Sequence, residues 1–200
     1  VARDLGLEIR TDAAGNYFYT LPGRDRSTPA IMTGSHFDSV PKGGNYDGLA
    51  GIVAGLVGLA ALKDTGFEPA CDVTVIGMTG EESVWYGIAY VGSRIATGVL
   101  PSEQLDTLLR DDSGRSLAAV RASGPSVTPA NTRAFLELHI EQGPVLIGED
   151  VAVAIPTTIR GNVRFPYACC RGSYDHSGAT PRAYRSDAAL AVVELLARLE

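Results

Sequence analysis

Two kinds of apolar run divide the first half of the chain. Short runs of strand length fall at residues 14–20 (AGNYFYT), 30–33 and 71–78 (CDVTVIGM), bounded by turn signals such as Gly15-Asn16 and Gly34-Ser35. A longer run, residues 49–63, is apolar, rich in Ala and Gly, and stops at Gly66. It is too long for a strand and predicts a buried helix. A further strand is predicted at 135–140 (FLELHI), closed by Gln142-Gly143-Pro144. Residues 21–29 read as a loop, 88–100 and 102–109 as weaker helices, and 111–132 as a polar surface connection. Near-continuous apolar strands alternating with helix predict an α/β fold, a mostly parallel sheet with covering helices.

A new pattern begins at 155–161. A strand at 164–170, a loop holding His176 and an amphipathic helix from Ser186 onward (Ala189, Leu190, Val193, Leu196, Ala197) follow, with Asp187 suited to the helix's first turn. The predicted boundary lies near Ile155, giving one domain over 1–154 and the start of a second, α+β, over 155–200. The chain opens on VARDLGLEIR and closes in mid-pattern on ELLARLE. Both ends read as cut, so a piece of a longer protein is expected, its first domain incomplete at the N-terminus and lacking a C-terminal part.

Composition narrows the function classes. Apolar residues make up 45% and charged residues 20%, an ordinary globular balance, and the net charge is −6. With no basic stripe, neither a nucleic acid nor an anionic membrane is an expected partner. No apolar run reaches the length of a membrane span. Cys71 and the vicinal pair Cys169-Cys170 make an odd count and a poor disulfide framework, which points to reduced thiols and a cytoplasmic protein.

Candidate chemistry sits at the strand ends. In an open parallel sheet, ligands bind beyond the carboxyl ends of strands. One predicted strand ends at His36, a second at Glu81-Glu82 and a third at His139, while Asp47 stands at the entry of the helix that follows His36. Singly, each has an ordinary reading: His36 a satisfied loop histidine, Asp47 a helix N-cap, Glu81-Glu82 a solvated pair, His139 a hydrogen-bonded core residue. Ordinary readings do not explain why all of them follow strands that should lie side by side. Two histidines and several carboxylates gathered there would suit a divalent metal. Of two adjacent glutamates, one can ligate an ion while the other takes a proton from metal-bound water. In the H-x-D spacing, the Asp38 carboxylate can accept the second ring N–H of His36 and fix its tautomer. The glycines between His36 and Asp47 allow the tight bend that brings both to one point.

Four ordered stretches, GSHFDSVPKGGNYDG, GEES-x-x-YG, LELHIEQGPVL and DHSGATPRAYRSDA, resemble the hydantoinase/carbamoylase branch of the M20 dinuclear metallopeptidase family. That branch holds N-carbamoyl-L-amino-acid hydrolases, allantoate amidohydrolases and bacterial-type β-ureidopropionases. The resemblance implies a Zn-peptidase-like catalytic domain followed by a lid or dimerisation domain. It implies two divalent ions (Zn, Mn, Co or Ni). Asp47 would bridge them, with His36 and His139 on one and Glu82 on the other. Glu81 would be the general base, Gln142 a substrate contact, and His176 the lid histidine that stabilises the oxyanion in the neighbouring subunit of a homodimer. The reaction implied is hydrolysis of a linear C–N amide bond in an N-carbamoyl or ureido acid by metal-bound hydroxide.

The chain also departs from the pattern. The resemblance implies a further histidine on the second metal, and no histidine follows His176; the arginines that hold the substrate carboxylate would lie beyond Glu200. Where family members often read EEGSRFG and NHAGTTPM, this chain reads EESVWYG and DHSGATPR, so Trp85, Tyr86, Asp175 and Arg182 leave the substrate open. Two other readings stand beside the first: a dipeptidase or aminopeptidase of the same superfamily, and a non-catalytic binding or dimerisation module. Glu81 beside Glu82 argues against the module, because a pure binding site needs no base.

Overall fold

A computed structural model of the chain describes residues 1–118, 124–159, 161 and 168–199. It divides into two compact units, Val1–Asp150 and Val151–Glu200. The first unit is built on a five-stranded sheet in the order β1-β2-β4-β3-β5. The strands are β1 (Glu8–Thr11), β2 (Tyr17–Leu21), β3 (Ala30–His36), β4 (Val73–Met78) and β5 (Thr132–Leu136). β4, β3 and β5 run parallel to one another, while β2 joins β4, and β1 joins β2, antiparallel. The sheet is therefore mixed: parallel across the three strands that carry the candidate site, antiparallel where the β1–β2 hairpin extends it.

The composition of the strands follows their place in the sheet. β4 is central and buried at Thr74, Val75, Ile76 and Gly77, so it is almost wholly apolar. β1 is an edge strand exposed at all four residues, and its sequence, EIRT, carries no apolar run to announce it. The hairpin between β1 and β2 turns on Asp12, whose carboxylate accepts the Ala14 and Asn16 amides, each at 3.0 Å. β5 begins three residues before the predicted strand and stops at Leu136, so His139 lies past its end.

Helix α1 (Leu49–Asp64) connects β3 to β4 and packs on one face of the sheet, where Ile52 and Leu59 join Leu7, Leu21 and Val75 in a buried cluster. Phe18, Ala30, Met32 and Ile76 form a second cluster. The weaker helices shrink to α2 (Val91–Ala96) and α3 (Gln104–Thr107). α2 is bounded by positive-φ residues at Tyr90 and Gly98. A short α4 (Val145–Gly148) starts on the Glu141 carboxylate, which accepts the Val145 and Leu146 amides at 2.9 and 3.0 Å.

In the second unit a 3-10 turn (Arg182–Tyr184) precedes α5 (Ala188–Leu199). The carboxylate of Asp187 caps α5 by accepting the Ala189 and Leu190 amides at 3.0 and 3.1 Å. The strand predicted at 164–170 falls largely outside the described residues. Among the described residues no helix is long and apolar enough to cross a membrane. The three cysteines are free thiols, Cys71 buried and Cys169 and Cys170 exposed.

Candidate metal centre

Three adjacent parallel strands deliver the candidate residues. His36 is the last residue of β3 and pairs in register with Met78, the last of β4; Glu81 and Glu82 follow three and four residues later. Thr33 pairs with Leu136, the last residue of β5, and His139 lies three residues past that strand. The chain at Leu138 stays close to the start of α1, since its carbonyl oxygen lies 2.6 Å from where a Cβ on Gly51 would be.

His36, Asp47 and Glu82 converge. One ligand atom from each lies within 4.8 Å of the others, with His36 and Asp47 buried. The His36 Nδ1 sits 2.6 Å from the Asp38 carbonyl oxygen. A carbonyl can only accept, so Nδ1 carries a proton and, in the neutral ring, Nε2 keeps its lone pair, 3.8 Å from the Asp47 carboxylate. This corrects the predicted role of Asp38: its backbone carbonyl, not its carboxylate, fixes the tautomer. The carboxylate lies 3.9 Å from Nδ1 and instead accepts the Glu81 and Glu82 amides at 3.1 and 2.8 Å. Asp38 thus ties the turn after β4 to the end of β3.

The bend between His36 and α1 depends on Gly48. Its backbone angles, φ 68° and ψ −58°, lie where side chains are rarely found, and a Cβ there would collide with the ring and carbonyl of His36. Gly48 is also the N-cap of α1, which has no side-chain cap. The Asp47 carboxylate is therefore not used as a helix cap and faces His36 and Glu82.

The electrostatics fit a cation. Burial raises the pKa of Glu82 above the ordinary carboxylate value, and the negative charge of Asp47 raises it further. A histidine nitrogen grouped with two crowded carboxylates is the donor set of a borderline divalent ion, so the residues present suit the metal expected from the sequence. Burial likewise raises Glu81, partly offset by hydrogen bonds from Ser93. Both Glu81 oxygens are held by that serine: the Ser93 amide donates to one and its hydroxyl to the other, each at 2.7 Å. Nothing in the sequence singles out Ser93 for this contact.

The remaining predicted residues are placed differently. His139 is exposed and outside the group of three; its Nδ1 donates to the Ile140 carbonyl at 2.6 Å, leaving Nε2 with a lone pair as in His36. Gln142 is exposed, with a positive φ of 56°. His176 belongs to the second unit, and its ring is held the opposite way round. Nδ1 accepts the amides of Gly178 and Ala179 at 3.1 and 3.0 Å, so the neutral ring carries its proton on Nε2. Thus the two ligand candidates present lone pairs and His176 presents a donor. Beside the glutamate turn a cavity of about 370 Å³ is lined in part by Asp38, Gly80, Trp85, Tyr86 and Arg110. The Arg110 guanidinium lies 4.9 Å from the Trp85 ring centre.

A model of the peptidase family M20/M25/M40 matches residues 32–199. The chain belongs to that family. Within it, the likeness runs to the hydantoinase/carbamoylase branch. The chain is 35% identical to a ureidoglycolate hydrolase of Arabidopsis thaliana, over 98% of this chain and 44% of that protein. It is 36% identical to an N-carbamoyl-L-amino-acid amidohydrolase of Paenarthrobacter aurescens (91% and 46%) and 38% identical to an allantoate amidohydrolase of Bacillus subtilis (91% and 45%). A crystal structure of a hydantoinase/carbamoylase family amidase from Burkholderia ambifaria superposes with a TM-score of 0.77 at 31% identity, over 99% of this chain and 49% of that one. The chain spans about half the length of the curated relatives it matches.

Proposed function

We propose that the protein is a metal-dependent amidohydrolase that cleaves a linear C–N amide bond of an N-carbamoyl or ureido acid. The observation that carries this reading is the convergence of His36 Nε2, Asp47 and Glu82, with the histidine tautomer fixed to offer its lone pair. The relatives' names supply the substrate class. His36, Asp47 and Glu82 would hold the ions, with His139 as a further ligand beside His36 and Asp47 shared between the two. When bound, two divalent ions (Zn, Mn, Co or Ni) would acidify a water and polarise the scissile carbonyl.

The chain's own groups would move the protons and hold the charge. Glu81, buried and raised in pKa, takes the proton of the attacking water and delivers it to the leaving nitrogen. Its oxygens each keep a second acceptor position beyond the contact with Ser93. His176, with its proton on Nε2, donates to the carbonyl oxygen as negative charge develops there. Gln142 contacts substrate. The second unit belongs to a lid that pairs two subunits, each His176 serving the partner's site in a cytoplasmic homodimer.

A substrate panel tests the reading. Intact protein supplied with Mn, Co, Ni or Zn should release ammonia from N-carbamoyl or ureido acids. Release of amino acids from dipeptides alone would establish the peptidase reading instead, and no turnover of either class with metal bound would favour a binding module.

A further inference from the structure

Ser93 grips the group assigned as base with both its hydroxyl and its backbone amide. It lies twelve residues after Glu81 in sequence, on α2, and each of its two hydrogen bonds to the carboxylate is 2.7 Å long. The grip closes a loop that is itself fastened: the Tyr90 amide donates to the Glu81 carbonyl at 2.8 Å and the Val91 amide to the Gly80 carbonyl at 3.0 Å. On the other side, Asp38 holds the Glu81 amide. Backbone and carboxylate of Glu81 are therefore fixed from separate elements, whereas the neighbouring Glu82 turns to Asp47 and His36. Two adjacent glutamates must face different tasks, and Ser93 supplies the contact that parts them.

We propose that Ser93 is the positioning residue of Glu81. It holds the carboxylate out of the His36–Asp47–Glu82 ligand set and in one orientation beside it. The proposal rests on the reading of Glu81 as general base. Its chemistry is simple. A carboxylate with one anchored oxygen pivots about that anchor; with both oxygens anchored it does not. Removing the hydroxyl leaves the Ser93 amide and frees the pivot, so the base is misplaced without any change at the metal ligands.

The test uses the intact, metal-loaded protein and an N-carbamoyl amino acid. Ser93→Ala should lower kcat between roughly ten- and a hundredfold, the scale of a misplaced catalytic group. KM should stay within about twofold and metal content should be unchanged. Ser93→Thr, which restores the hydroxyl, should recover most of the loss. In a Glu81→Gln background Ser93→Ala should add almost nothing, because the two residues act as one unit. A crystal structure of Ser93→Ala should show the Glu81 carboxylate displaced. The proposal is overturned if Ser93→Ala keeps wild-type kcat while Glu81→Gln loses it, if the losses multiply in the double variant, or if Ser93→Ala loses metal. Wild-type turnover in Glu81→Gln is a different failure: it removes the base assignment, and Ser93's role with it.

Discussion

Replacing Gly48 with alanine separates two effects that the loop before α1 combines. The first is backbone strain. At φ 68° and ψ −58° an alanine is disfavoured by on the order of 1–3 kcal/mol. The second is contact. The new Cβ would lie at or inside 2.6 Å of three His36 atoms, Nδ1, Cε1 and the carbonyl oxygen. Relief requires the ring or its strand end to move, a further cost of about 1–3 kcal/mol. Gly44 is the internal control: it too has a positive φ, 84°, but nothing lies within 4 Å of its missing Cβ. Gly44→Ala should therefore cost only strain, about 1–2 kcal/mol, and leave metal binding alone. Gly48→Ala should cost roughly 2–6 kcal/mol and weaken metal affinity by about 10–100-fold, the usual effect of disturbing a ligand's orientation. Urea denaturation of the metal-free proteins measures the first quantity and calorimetric metal titration the second. If both variants bind metal with wild-type affinity, His36 is not a ligand held by this bend, and the reasoning fails.

Glu81→Gln should keep its metal and its fold and lose about 10²–10⁴-fold in turnover; loss of metal there, with retention in Glu82→Gln, would mean the two roles are exchanged. The raised pKa of Glu82 has a stability consequence. Its contribution is fully present below the unfolded carboxylate pKa and is lost as pH rises through the raised folded value. In EDTA at pH 7, Glu82→Gln should thus be more stable to urea than wild type, with the difference vanishing in acid; a less stable variant would contradict the electrostatic account. Nitrogen-15 shifts of the imidazole rings should show the proton on Nδ1 in His36 and on Nε2 in His176; the same tautomer in both would undo the division between ligand and donor. For action between subunits, mixing inactive His176→Ala and Glu81→Ala proteins should restore roughly a quarter of wild-type activity once subunits exchange, given independent sites; none after verified exchange would place His176 in its own chain's site.

Sequence patterning reached the parts of the fold where burial dictates residue type. β4 is apolar because it is central and buried, and the limits of β4 and α1 fall within two residues of the predicted ones; α1, predicted as a buried helix, buries only Gly51, Ile52 and Leu59, and its apolar Leu49, Val53 and Val57 are exposed. β1 escaped because an exposed edge strand needs no apolar face. β5 was displaced because its first residues, Thr132 and Arg133, look like loop, while the apolar run that looks like strand continues past the last paired residue, Leu136. The site divides the same way. Residue types at strand ends pointed to His36, Asp47 and Glu82, which the fold brings within 4.8 Å of one another, but not to the exclusion of His139 from that group. Spacing could not tell whether Asp38 meets His36 through its side chain or its backbone, since both lie within reach of the ring. The contact of Ser93 with Glu81 depends on how the loop 81–90 closes, which is a property of the folded chain.

The claim that His36, Asp47 and Glu82 form a metal centre is tested most directly by elemental analysis of purified wild-type and Asp47→Ala protein after equilibration with the same divalent ion. Wild type should retain bound ions, up to two per intact chain. Asp47→Ala, lacking a carboxylate that lies within 4.8 Å of both other candidate ligand atoms, should retain almost none while keeping its circular dichroism. Equal metal content in the two proteins would contradict the assignment.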